Sequence, residues 1–135
     1  MKFPTTSVNT LTKKYGTSSP FKLARHLGIE VVFGKLGDKL GCYIHTPVPI
    51  ILLNANVSDK QQVFACAHEL GHVVLHQNIN IKFLKQHTCV CIDKLEDEAD
   101  YFALELLRAS GKTMTLDEIV YEYGVPRRIA LSKIS

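Results

Sequence analysis

The sequence predicts an α+β domain in which a short, mainly antiparallel three-stranded sheet packs on one long apolar helix, with further helices toward the C-terminal end. Three observations lead there. A capped helical stretch over 19–28 gives way at Ile29 to three short apolar runs of strand character. A second capped helical pattern opens at Ser58, and a third, strongly amphipathic one covers 94–109. The 135 residues suit one core, and no linker, repeat or low-complexity tract divides them. Residues 1–135 are therefore expected to form a single domain, with 111–135 as a helical extension packed on it.

A short helix is expected from about Thr6 to Lys14, stopped by Gly16. The next has Ser19 as N-cap, Pro20 in its first position, Leu23, Ala24 and Leu27 as its apolar face, and Gly28 as stop. Strands follow at Ile29–Phe33, Leu40–His45 and Ile50–Asn54. The Thr46-Pro47-Val48-Pro49 connection is stiff, because each proline pushes its predecessor into extended backbone. Proline there also places Ile50–Asn54 at a sheet edge, where an extended substrate could add as a strand. Ser58 and Gln61 make a capping box for a helix running to about His76, whose Val63, Phe64, Ala67, Leu70, Val74 and Leu75 face the core. A loop runs through Cys91. The 94–109 helix then presents Ala99, Phe102, Ala103, Leu106 and Leu107. Thr115 and Glu118 suggest another capping box before Gly124, and a last helix spans Pro126 to about Lys133.

Composition narrows the function. Hydrophobic residues make up 46% and charged ones 21%, as in ordinary globular chains. No run approaches the roughly 18 apolar residues of a membrane span, and MKFPTTSVNT lacks the apolar core of a secretory signal, so a cytoplasmic protein is expected. Cys42, Cys66, Cys89 and Cys91 are too few for a disulfide scaffold and read as free thiols, Cys66 in the core. The net charge of +3 is uneven: residues 1–41 carry seven Lys/Arg against two Asp/Glu, and 42–110 carry five against eight. That basic excess is too weak to imply nucleic-acid binding.

His68-Glu69-Leu70-Gly71-His72 is an HExxH pattern. Histidines four apart leave one helix face, so both rings can reach one ion at about 2.0–2.1 Å. Glu69 projects about 100° around the helix, where it can act as general base without ligating. Zinc would lower the pKa of its water towards about 7 and polarise a scissile carbonyl. Solvated residues on an exposed face are the bland alternative. Ala65-Cys66-Ala67 and Val73-Val74-Leu75 argue against it, since they imply a buried helix whose His and Glu need partners. A catalytic zinc takes three protein ligands and keeps one position open. Leu95-Glu96-Asp97-Glu98-Ala99-Asp100 offers the third. Glu96 and Asp100 share a face, while Glu98 lies about 160° from each of them. Face geometry favours Glu96 on the zinc and Asp100 on the outer nitrogen of a ligand histidine, with Glu98 as the alternative ligand. Acids in a first helical turn also simply complement the helix dipole.

The stretch Phe64-Ala65-Cys66-Ala67-His68-Glu69-Leu70-Gly71-His72-Val73-Val74-Leu75-His76, followed by Glu96-Asp97-Glu98-Ala99-Asp100-Tyr101-Phe102-Ala103 and Leu106-Leu107, closely resembles the ImmA/IrrE family of metallo-endopeptidases. The likeness covers about residues 19–110, including Leu23–Ile29 and the strand ending at Asn54. It departs from the family where Arg108-Ala109-Ser110 replaces the usual Met-Pro. The resemblance implies a small zincin-like fold, one Zn2+ on His68, His72 and Glu96, catalysis by Glu69, and support from Asp100. It also implies a protein substrate, a helix-turn-helix repressor of a prophage or mobile element, whose cleavage relieves repression.

Other candidates carry less. His76 could stabilise an oxyanion or cap the helix end. Tyr101 and Tyr43 could donate to an oxyanion, although tyrosines more often sit at core edges. His87-Thr88-Cys89-Val90-Cys91 lacks the spacing of a second zinc site. Arg127, Arg128 and Lys133 could touch phosphates, but Asp117, Glu118 and Glu122 nearly cancel them, so packing is the expected role of the C-terminal helices. Neither a membrane nor direct nucleic-acid binding is expected. The rival to an endopeptidase is a non-proteolytic anti-repressor, a binding module that sequesters its partner around a structural zinc. Such a module has no need of Glu69.

Overall fold

In the computed structural model the described residues are 5–44, 47–76 and 92–132. Helix α1 (Thr5–Tyr15) leads to α2 (Pro20–His26), whose N-cap Ser19 accepts from the Lys22 amide at 3.3 Å. Gly28, at φ 74°, turns the chain out of α2 so that the Ile29 amide can reach the Ala24 carbonyl at 2.9 Å. A side chain at Gly28 would be strained in that backbone.

Strands β1 (Glu30–Gly34), β2 (Gly41–Ile44) and β3 (Ile50–Asn54) form one sheet in the order β1-β3-β2. The α+β class is as expected, but the sheet is mixed: β1 runs parallel to β3 from Glu30–Ile50 to Gly34–Asn54, and only β2 is antiparallel to it. The strand expected at an edge, Ile50–Asn54, is the central one. Its prolines explain the error. Pro47 and Pro49 precede the strand and take no pairing position within it, and Pro49 lends the ladder its carbonyl, which accepts from the Glu30 amide at 3.1 Å. The unbroken run Ile50-Ile51-Leu52-Leu53 fits a strand paired on both sides, and Ile51 and Leu53 are fully buried.

Asn54 ties the sheet to its connections. Its side-chain amide donates to the carbonyls of Gly37 (3.0 Å) and Lys39 (2.8 Å), which steers the chain into β2. Helix α3 (Asp59–Leu75) starts with the anticipated box: Ser58 Oγ accepts from the Gln61 amide and Gln61 Oε1 from the Ser58 amide, each at 3.2 Å.

Helix α4 (Ile92–Arg108) lies along α3, and Gly71 sets how closely. A Cβ there would fall 3.1 Å from Phe102 Cδ1 and 3.2 Å from the Ala99 Cα. One of these neighbours is backbone, so any other residue would push the helices apart by a few tenths of an ångström. Past α4, Thr115 Oγ1 accepts from the Glu118 amide at 3.0 Å, and a π-helical turn (Glu118–Glu122) precedes α5 (Arg127–Ser132). The Glu118 carboxylate takes Lys60 at 3.3 Å, beside the Lys60–Glu122 pair at 2.6 Å. Ile119, Val125, Ile129 and Ala130 join the same core as Leu23, Leu53, Leu70 and Phe102. Arg128 binds Asp97 of α4 through both guanidinium nitrogens, at 2.8 and 2.9 Å. That arginine therefore faces a carboxylate of its own chain. Residues 77–91, with His87, Cys89 and Cys91, and Lys133 lie outside the described residues.

Candidate metal centre

Helical spacing brings His68 and His72 to one face of α3 with their rings edge to face, centroids 4.8 Å apart. Across the Gly71 contact, Glu96 of α4 points its Oε1 at both, 2.6 Å from His72 Nε2 and 3.6 Å from His68 Nε2. One donor atom from each of the three lies within 4.8 Å of the other two. Among the described residues this is the group able to hold a metal ion, and its two imidazoles and one carboxylate suit zinc.

The electrostatics favour a cation. Burial alone would strip the proton from His68. Hydrogen bonds to Asp100 and Glu96, with the Glu69 charge nearby, outweigh it and raise its pKa to about 10. Burial opposes ionisation of Glu96 too, yet the two histidines hold its carboxyl well below the usual range. The cluster draws in positive charge, which a proton or a metal ion can supply.

Behind the cluster each histidine has its own support. Asp100 Oδ1 lies 2.7 Å from His68 Nδ1, the position that face geometry gives it. His72 Nδ1 instead meets His76 Nδ1 at 2.9 Å, and His76 Nε2 lies 3.1 Å from Glu98 Oε1. So Glu98 is turned to His76 and away from the group of three. His76 ends α3, its amide donating to the His72 carbonyl at 2.9 Å, but its ring is buried behind His72 and not offered to a substrate. Burial lowers its pKa, which keeps the ring neutral.

Glu69 is buried at 8% exposure and borders a cleft of about 490 Å3 with His68, His72 and Glu96. Leu40, Gly41 and Tyr43, Phe64 and Ala65, and Gly124 and Pro126 line the rest of it. Burial raises the Tyr43 phenol. Tyr101, by contrast, belongs to the hydrophobic core and does not line the cleft. Sequence reasoning missed the part played by β2, by Gly124 and Pro126, and by Gly71. Only Gly71 left a signal, a helix-breaking residue inside a strong helix.

An HExxH helix, an acid from the helix packed along it and an adjoining cleft define a metallopeptidase-type site. A peptidase family described as the IrrE N-terminal-like domain matches residues 24–108, and the chain belongs to this ImmA/IrrE family. It is 37% identical over 133 residues to the "Uncharacterized immunity region protein 2" of Bacillus phage phi105, covering 92% of this chain and 84% of that one. It is 33% identical over 103 residues to "Metallopeptidase ImmA" of Bacillus subtilis (strain 168), covering 74% of this chain and 60% of that one.

Proposed function

We propose that the protein is a zinc-dependent endopeptidase that cuts a peptide bond in a protein substrate, a helix-turn-helix repressor of a prophage or mobile element. The observation that carries the reading is a three-donor group opening onto a cleft that Glu69 borders. A structural zinc is closed by a fourth protein ligand, whereas the group among the described residues offers three, which gives the sequestering alternative less support. Similarity to metallopeptidase ImmA supports a protein substrate, and similarity to a phage immunity region protein fits a mobile-element setting. A cytoplasmic location is part of the same proposal. No helix among the described residues is long and apolar enough to cross a membrane.

Zinc, when bound, supplies Lewis acidity that acidifies water and polarises a carbonyl. The chain's own groups do the rest. Asp100 fixes the Nδ1–H of His68, so that its Nε2 lone pair faces the centre. Glu69, which is not one of the three donors, takes a proton from the attacking water and returns it to the leaving amide nitrogen. Because β3 is internal, the strand that can receive an extended peptide is β2, at the sheet's rim and along the cleft.

Glu69→Gln separates the functions. It should retain zinc at wild-type stoichiometry and lose repressor cleavage by at least about 100-fold. Wild-type cleavage by this variant would remove Glu69 from the mechanism.

A further inference from the structure

We infer that His76 and Glu98 form a positioning relay that aims His72 at the metal, doing through an intervening ring what Asp100 does for His68 directly. The inference rests on the metal-site reading above.

Three acids at 96, 98 and 100 of α4 are divided among three tasks. Glu96 faces both inner nitrogens, Asp100 takes the outer nitrogen of His68, and Glu98 takes His76. His76 reaches the outer nitrogen of His72 at 2.9 Å, and the two residues are 5% and 2% exposed, so water does not compete for that contact. A neutral imidazole has one donor and one acceptor nitrogen. For His72 to present a lone pair at Nε2, its proton must sit on Nδ1 and be donated to His76 Nδ1. His76 then carries its own proton on Nε2 and donates it to Glu98. With a metal ion between His72 Nε2 and Glu96 Oε1, which lie 2.6 Å apart, that one assignment of tautomers satisfies every polar group in the chain Glu98–His76–His72. With His76 protonated on Nδ1 instead, the proton of His72 moves to Nε2 and ligation is blocked. The backbone bond from the His76 amide to the His72 carbonyl holds the donor ring at fixed height beside its target.

The two ligands are thus backed unequally. A carboxylate polarises His68 at first hand, whereas His72 receives that influence through a neutral ring. His76 touches neither substrate nor metal. It is a positioning residue.

The test is zinc affinity, measured by competition with a chromophoric chelator, for wild type, His76→Ala, His76→Gln, Glu98→Gln and the His76→Ala/Glu98→Gln pair. His76→Ala should weaken zinc binding about 10- to 100-fold. His76→Gln should recover most of the loss, because its amide both accepts and donates. Glu98→Gln should weaken binding less and add nothing to His76→Ala, as members of one chain do. Nitrogen-15 NMR of the zinc-loaded wild type should show His76 protonated at Nε2, a readout that holds even if His76→Ala does not fold. Wild-type zinc affinity in His76→Ala, or an Nδ1–H tautomer of His76, overturns the relay while leaving the metal site standing. A wild type that binds no zinc overturns both.

Discussion

The α3–α4 pair and the β2 rim border the same cleft, yet they are built by different rules. Along α3 and α4 the functional groups follow from local periodicity: 68, 72 and 76 are one turn apart, as are 96 and 100. At the rim the geometry comes from long-range pairing, since β2 borders the cleft as the edge strand paired with β3. The groups that do chemistry are set by short-range repeats. The surface that meets a substrate is set by topology.

Changes in the helical pair should have the larger effects. Glu96→Ala removes the carboxylate facing both inner nitrogens and should abolish stoichiometric zinc and cleavage, at least about 1,000-fold in kcat/KM. Glu98→Ala should spare most of both. Equal losses in the two variants, measured by metal analysis and kinetics, would erase the division of labour among the acids.

Gly71→Ala tests the spacing between the helices. The new methyl meets the Ala99 Cα and Phe102, so α4 must shift by a few tenths of an ångström. Denaturant unfolding should show a loss of about 1–3 kcal/mol, together with weaker zinc binding. Unchanged stability and affinity would mean that the close approach is not what places Glu96.

The rim is tested more gently. Hydrogen exchange on the Glu69→Gln protein with bound substrate should show added protection at β2 and none at β1, the strand at the opposite edge. Protection at β1 would move the peptide to the far side of the sheet.

The smallest effect concerns Cys66. Burial, aided by the Glu69 charge, pushes its thiol up to about 12 from an ordinary 9.0. The folded thiol therefore keeps its proton where the unfolded one ionises, so stability falls as pH rises above about 9. Alkylation of Cys66 at mildly alkaline pH should require unfolding; rapid labelling of native protein would show that the core around it opens.

How much was legible in the sequence follows the same division. Ser58 and Gln61, Ser19 and Pro20, and the His68/His72 and Glu96/Asp100 spacings all act within one or two turns, and the elements they mark stand close to where the spacing puts them. The antiparallel bias and the edge position of β3 did not follow, because prolines beside a strand look like prolines in one until the register is known. The contacts of His76 with His72 and Glu98 were also hidden. The contact with Glu98 depends on how α4 packs against α3, where Gly71 meets Ala99 and Phe102, and that with His72 on the ring orientations at the end of α3.

X-ray absorption at the zinc edge of the loaded protein tests the central claim most directly. Two imidazole nitrogens, one carboxylate oxygen and a fourth light atom not supplied by the protein are predicted, with the spectrum changed by His72→Ala or Glu96→Ala. A sulfur neighbour, or a spectrum indifferent to both substitutions, would contradict it.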